Sequence, residues 1–337
     1  MTRIYIGQWD EVCEVMKPPR VLLVGLDPVR NETFLVARTK ELARRFKAGV
    51  VLFECVHNQY INSRYFKDSR ALSHARQSLV KRHRERLEHL ARPLMDGGLE
   101  VTVDADWDAP ADEAVIRAGR RHGADWILVG VGCHPVHRLP FLAGTDWQLI
   151  RHAPCPLLLV YPRKWPPAPR VVSAVDPMHR HGKPEDLDRR ILEAGACICR
   201  HGGGDLYVFH AFEPIFHAVG GAILEPLPVE YAEATLEGAH NAAVEALLEG
   251  LRETTANVRI AEGRPEEKLP EFADEIGADL VVMGAVARNP LQRIFIGSTA
   301  EKVLDVLSCD VLVIKPGEFA GGVTGTPLPA VSGDSQG

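Results

Sequence analysis

A chain of 337 residues has room for two domains of ordinary size, each with its own buried core. With 46% hydrophobic and 25% charged residues it reads as soluble and globular, and no apolar run nears the roughly 20 residues that span a bilayer. A net charge of -6 excludes a general case for binding nucleic acid or an acidic membrane. Seven scattered cysteines suit a reducing cytoplasm better than a disulfide framework, and the opening MTRIYIGQWDEVCEV lacks the apolar core of a secretory signal.

The hydrophobic pattern predicts a strand over 21–26 ending at Asp27-Pro28, an amphipathic helix over 32–47 and a strand over 50–56. A long charged helix over 69–95 stops at Gly97-Gly98. Then come a strand (99–103), a helix (111–122), a strand (126–129), a helix (145–151) and a strand (156–160). Four prolines between Tyr161 and Pro169 disfavour helix and central strand, and mark a stiff linker. The pattern restarts at Arg170, where RVVSAVDP parallels the earlier RVLLVGLDP. Further strands are expected over 205–210, 257–261, 280–283 and 311–314, with helices between them, the longest over 228–254. The tail after Pro316 is rich in Gly, Pro, Ser and Thr and is expected to be disordered. Alternating strands and helices predict repeated βαβ units around a mostly parallel sheet.

The stretch from Gly277 to Pro316 echoes that from Gly123 to Pro162, 154 residues earlier. GADWILVGVGCHPVHRLPFLAGTDWQLIRHAPCPLLLVYP lines up with GADLVVMGAVARNPLQRIFIGSTAEKVLDVLSCDVLVIKP without a gap. An echo this long means two copies of one domain. The expected division is a first domain over 1–162, a linker over 163–169, a second domain over 170–316 and a tail over 317–337. The turn before the last helix reads Gly297-Ser298-Thr299 in the second copy and Ala143-Gly144-Thr145 in the first.

In an open parallel sheet, ligands sit outside the carboxyl ends of the strands, where strand order reverses. Asp176 follows the first strand of the second copy, Gly284 ends its fourth strand, and Gly297-Ser298-Thr299 opens its last helix. Free N–H groups and the helix dipole favour a phosphate there. Arg288 is a bidentate donor within reach of it. Each residue also has a plainer reading. Asp176 and Asp27 are natural turn formers, Gly297-Ser298-Thr299 a helix cap, and Arg288 a solvated loop residue.

The spacing Gly284-x2-Ala287-x9-Gly297-Ser298 resembles the nucleotide loop of the universal stress protein family, usually Gly-x2-Gly-x9-Gly-[Ser/Thr]. The resemblance runs over residues 3–316 as a tandem pair, like the two-domain E-type bacterial members. It implies two adenine nucleotide alpha hydrolase-like domains. Each is an open five-stranded, mostly parallel sheet with helices on both faces, and the pair packs as an intramolecular pseudo-dimer through the last strands. It also implies ATP, or another adenine nucleotide, with magnesium at its phosphates. Asp176 would touch the nucleoside, a backbone contact from the second strand would fall near Ala211, Gly284 would touch the ribose and phosphate region, and Gly297 and Ser298 the phosphate. Ala287 stands where the family has its second glycine, so a bound ribose would be crowded there. The first copy is a degenerate version, with Asp27, Gly130, Gly144 and Thr145 in matching positions and Cys133 and Ala143 replacing two glycines.

No nucleophile sits at a known spacing from a base, so catalysis is not expected. Cys133-His134-x2-His137 and Cys197-x-Cys199-x-His201 each fall short of four zinc ligands, and no structural metal is expected. The basic run Lys81 to Arg86 reads as a solvated helix face. The apolar segment Ile215 to Leu227 is either a flap over a pocket or a contact surface. The expected function is a cytoplasmic, non-catalytic stress-response regulator or scaffold. It would hold a nucleotide in its second domain and meet an unidentified protein partner, with no role for nucleic acid or membrane, as a monomeric pseudo-dimer or a homodimer. The alternatives are a slow ATPase using the same pocket, and an apolar-ligand or partner-binding module without nucleotide.

Overall fold

The computed structural model describes residues 2–5, 17–30, 32–62, 64–65, 68–133, 140–142, 144–178, 186–213, 229–249, 255–285 and 298–316. The tail over 317–337 and the segment Ile215 to Leu227 lie outside them. The chain divides into two compact units, residues 19–162 and residues 163–316, and the latter also includes the opening strand.

That opening strand is β1 (Thr2–Tyr5). The first unit follows with β2 (Val21–Leu26), α1 (Thr33–Phe46), β3 (Gly49–Val56), α2 (Ser69–Met95), β4 (Val101–Trp107), α3 (Ala111–Arg121) and β5 (Trp126–Gly130). A two-stranded ribbon of β6 (Gly132–Cys133) and β7 (Pro140–Phe141) precedes α4 (Gly144–His152) and β8 (Leu157–Val160). Five strands pair in parallel in the order β8-β5-β2-β3-β4. Strand order reverses between β2 and β5, which opens a crevice at their carboxyl ends. Leu22, Leu23 and Val24 are all fully buried, although successive side chains point to opposite faces. Both faces are therefore covered, as a parallel sheet requires.

The second unit repeats the plan with β9 (Arg170–Ala174), α5 (Asp186–Gly202), β10 (Asp205–Phe212), α6 (Val229–Leu248), β11 (Thr255–Glu262), α7 (Pro265–Ile276), β12 (Leu280–Gly284), α8 (Ser298–Val306) and β13 (Asp310–Ile314). Its order is β1-β11-β10-β9-β12-β13, parallel except for β1. Here the reversal falls between β9 and β12.

The duplication extends to single hydrogen bonds. Gly123 and Gly277 end α3 and α7 with φ of 60° and 59°, a left-handed turn that glycine adopts without strain. Two residues later, Asp125 Oδ2 accepts from the backbone N–H groups of Arg20 and Val21 at 2.7 and 2.9 Å. Asp279 Oδ2 accepts from Arg170 N at 2.8 Å at the same place in the second unit. Each aspartate ties the start of its fourth strand to the start of the first.

Two expectations differ from the structure. The first domain was to begin at residue 1, but Thr2–Tyr5 pairs antiparallel with Thr255–Val258, and the first compact unit begins at Pro19. Four residues cannot bury a face alone, and β11 offers an open edge whose N–H and C=O groups need partners. Strand β4 runs to Trp107 rather than Val103 because Asp104, a polar interruption in the pattern, is satisfied in place. It accepts from Arg121 Nη2 at 2.6 Å and lies 2.7 Å from His122 Nε2.

Asp279→Ala removes the acceptor for Arg170 N and is expected to destabilise the protein by about 1–3 kcal/mol in denaturant unfolding. Lys315, 2% exposed just beyond β13, supplies a pH test. Burial pushes its ammonium pKa down from 10.5 to about 7. Between those values the unfolded chain binds the proton and the folded chain has lost it, so stability from this site rises as pH climbs from about 7 toward 10.5. Lys315→Met is expected to flatten that rise in thermal melts taken across the alkaline range.

Candidate functional site

The crevice between β2 and β5 holds a cavity of about 170 Å³. Asp27, Gly130 and Thr145, three residues singled out by sequence, line it, while Gly144 opens α4 beside them. Asp27 acts as the turn former expected of it and also faces Arg30. Its Oδ1 accepts from Val29 N at 2.9 Å, forming a turn, and its Oδ2 lies 3.5 Å from Arg30 Nε.

Arg30 is the residue that sequence reasoning missed. Its Nη1 donates to Gly130 O at 2.6 Å and to Asp146 Oδ1 and Oδ2 at 2.9 and 3.2 Å. Asp146 is 2% exposed in the first turn of α4, so its carboxylate stands where the helix N-terminus favours an anion. The first unit thus supplies its own anion at this position and its own cation beside it. The only sequence hint is the three-residue step from Asp27 to Arg30 in a turn. The second copy has His179 at that step and Ala300 at the position of Asp146.

Cys55 also faces the cavity, with its thiol donating to Asp108 O at 3.1 Å. Burial, and then the nearby Asp108 carboxylate, push its pKa up to about 12. It stays protonated and is no nucleophile at neutral pH.

In the second unit Asp176, Ala211 and Gly284 fall at the carboxyl ends of β9, β10 and β12, three strands adjacent in the sheet. Asp176 N donates to Asp188 Oδ1 at 3.0 Å, and Asp188 is fully buried on α5. Gly284 has a packing reason of its own. A Cβ there would lie 2.7 Å from Leu187 Cδ2 and 3.2 Å from Ile191 Cδ1, so α5 could not approach as closely over any other residue. Ser298 is the first residue of α8 and Thr299 is exposed on its first turn. Ala287, Arg288 and Gly297 lie outside the described residues.

A histidine pair buttresses this corner. His210 Nδ1 lies 3.1 Å from Val175 O, and its Nε2 lies 2.8 Å from His240 Nδ1, with both rings 1% exposed. A carbonyl only accepts, so His210 Nδ1 carries the proton and, in the neutral pair, Nε2 accepts from His240 Nδ1. His240 also stacks on Phe212 at 4.5 Å between centroids. Together they tie α6 and β10 to Val175, the residue before Asp176.

The Cys197-x-Cys199-x-His201 group forms no metal site among the described residues. His201 turns its Nδ1 onto Cys197 O at 2.9 Å, along its own helix, and His134 and His137 lie outside the described residues. Among the described residues, no helix is long and apolar enough to cross a membrane.

The family model described as the universal stress protein family matches residues 19–161 and again 170–315. The chain belongs to the universal stress protein family. It is 27% identical over 305 residues to Universal stress protein E of Escherichia coli K12, a match covering 88% of this chain and 94% of that one. The Universal stress protein E homolog of Haemophilus influenzae is 27% identical over 306 residues, with 88% and 97% covered. A functionally unknown protein from Pseudomonas aeruginosa PAO1 has a solved structure similar at a TM-score of 0.67 and 25% identity, covering 90% and 95%. A universal stress protein from Archaeoglobus fulgidus shares the fold at a TM-score of 0.63 and 17% identity, covering 88% and 98%. The tandem organisation and the α/β fold expected from the sequence are both borne out.

In this universal stress protein, His240→Ala takes from buried His210 Nε2 its partner on α6. The expected loss is about 1–3 kcal/mol of stability by chemical denaturation, more than for an exposed residue of the same helix such as Glu245→Ala.

Proposed function

We propose that the chain is a cytoplasmic, non-catalytic stress-response regulator that binds one adenine nucleotide, ATP with magnesium, in its second domain. The observation that carries this reading is the gathering of Asp176, Ala211 and Gly284 at the reversal of strand order, on β9, β10 and β12. The spacing from Gly284 to Gly297 and Ser298 supports it, because Gly297 directly precedes Ser298, the first residue of α8, in the sequence. Asp176 would meet the nucleoside, and Arg288, Gly297, Ser298 and Thr299 the phosphates.

The first domain is unsuited to the same ligand. A triphosphate entering it would meet the Asp146 carboxylate at the helix terminus, and the cation beside it is already bound to that carboxylate. Breaking so buried a pair costs about 3–5 kcal/mol, comparable to a weak ligand's whole binding energy. Occupancy of the second domain alters function only by favouring one conformation or one partner complex over another.

Calorimetric titration of nucleotide-stripped protein with ATP and magnesium tests the proposal, with Gly297→Asp alongside. The expected result is saturable binding at one site per chain, lost in the variant. No binding to the wild-type chain would leave the turn at Gly297 as a helix cap and nothing more.

A further inference from the structure

The first-unit cavity carries a carboxylate that no side chain among the described residues neutralises. Asp112 is 8% exposed in the first turn of α3 and lines the cavity. No side chain among the described residues forms an ion pair or hydrogen bond with it. Its carboxyl is held by the backbone N–H groups of Asp112 itself and Glu113, and His152 acts on it only through space. Burial, and then the neighbouring Glu113 carboxylate, raise its pKa against the pull of those N–H groups.

The repeat shows what is missing. At the 154-residue step Asp112 corresponds to Glu266, in the first turn of α7. Glu266 Oε1 is bound by Lys302 Nζ on α8 at 3.0 Å and by Arg264 Nη2 at 2.9 Å. The same step carries Lys302 to Gln148 and Arg264 to Pro110. Both cations have gone from the first unit, and the acid has stayed. The other acids around the cavity are engaged. Asp27 and Asp146 pair with Arg30, and Glu32 pairs with Arg86 at 2.6 Å. Among the described residues Asp112 is left lining the cavity without a counter-ion, and Val115, Val129 and Leu149 form an apolar wall beside it.

We propose that the first-unit cavity is a binding site for a small aliphatic amine, whose ammonium group pairs with Asp112 and whose alkyl body packs on Val115, Val129 and Leu149. The ligand supplies from outside the cation that Lys302 supplies from within in the second unit. A carboxylate or phosphate ligand is rejected, because Arg30, the one lysine or arginine among the described residues that line the cavity, is already held by Asp27 and Asp146. The proposal stands apart from the nucleotide reading of the second domain.

The test is a titration of the full chain with butylamine, followed by NMR chemical shifts or calorimetry, with butyrate as the charge-reversed comparison. Two variants accompany it. Asp112→Asn keeps the shape and removes the charge, and Gln148→Lys restores the internal cation. Thermal melts check that both are folded. Saturable butylamine binding, weakened at least about tenfold in each variant and absent for butyrate, is the expected result. No saturation by butylamine, equal binding of butyrate, or binding untouched by both substitutions overturns the proposal. Failure of ATP to bind the second domain would leave each of these outcomes unchanged.

Discussion

Parallel pairing of the central strands is the constraint on which the molecule rests. A parallel neighbour can be reached only by a crossover, and the crossing helices then bury both faces of the sheet. This is why Leu22, Leu23 and Val24, or Leu280, Val281 and Val282, run on without polar alternation. Each such side chain, fully buried, contributes roughly 1.5–3 kcal/mol. The first strand of each unit has the second on one side and the fourth on the other, so the crossovers part at its carboxyl end and leave a crevice. Asp125 and Asp279 fasten that arrangement from the opposite end by binding the first N–H groups of β2 and β9. The crevice follows from the topology; its chemistry is set by the residues placed around it.

The two copies fill that crevice differently. In the first, Arg30 bridges Asp27, Gly130 and Asp146, drawing β2, β5 and α4 together through one guanidinium. In the second, the equivalent positions hold His179 and Ala300, and the internal salt bridge has moved outward to Glu266, Lys302 and Arg264. A gene duplication need not have produced two equal sites, and here the copies differ by a handful of charge exchanges around the crevice.

The sequence carried the fold well, because periodicity and repetition are local or fixed-offset signals. The switch from apolar strand to amphipathic helix, the prolines from Pro162 to Pro169 and the echo at 154 residues located the strands and both units. It also brought Asp27, Gly130 and Thr145 to one cavity. Signals without a local pattern were not legible. Arg30 and Asp146 are 116 residues apart, and nothing in their neighbourhoods announces a pairing. Strand β1 is four residues long and finds its partner near the far end of the chain. The full length of β4 was hidden because Asp104 and Asp106 look like a break until Arg121 is seen to reach both. Gly284 shows the reverse hazard. It matches a ligand-loop glycine, yet Leu187 and Ile191 alone already require it.

The proposed asymmetry is between a second half that binds nucleotide and a first half closed to it by the Arg30–Asp146 ion pair. Native mass spectrometry of the intact chain in saturating ATP and magnesium tests it most directly. A single bound nucleotide per chain is expected. Two bound nucleotides would contradict the closure of the first unit by Arg30 and Asp146, and none would contradict the reading of the second.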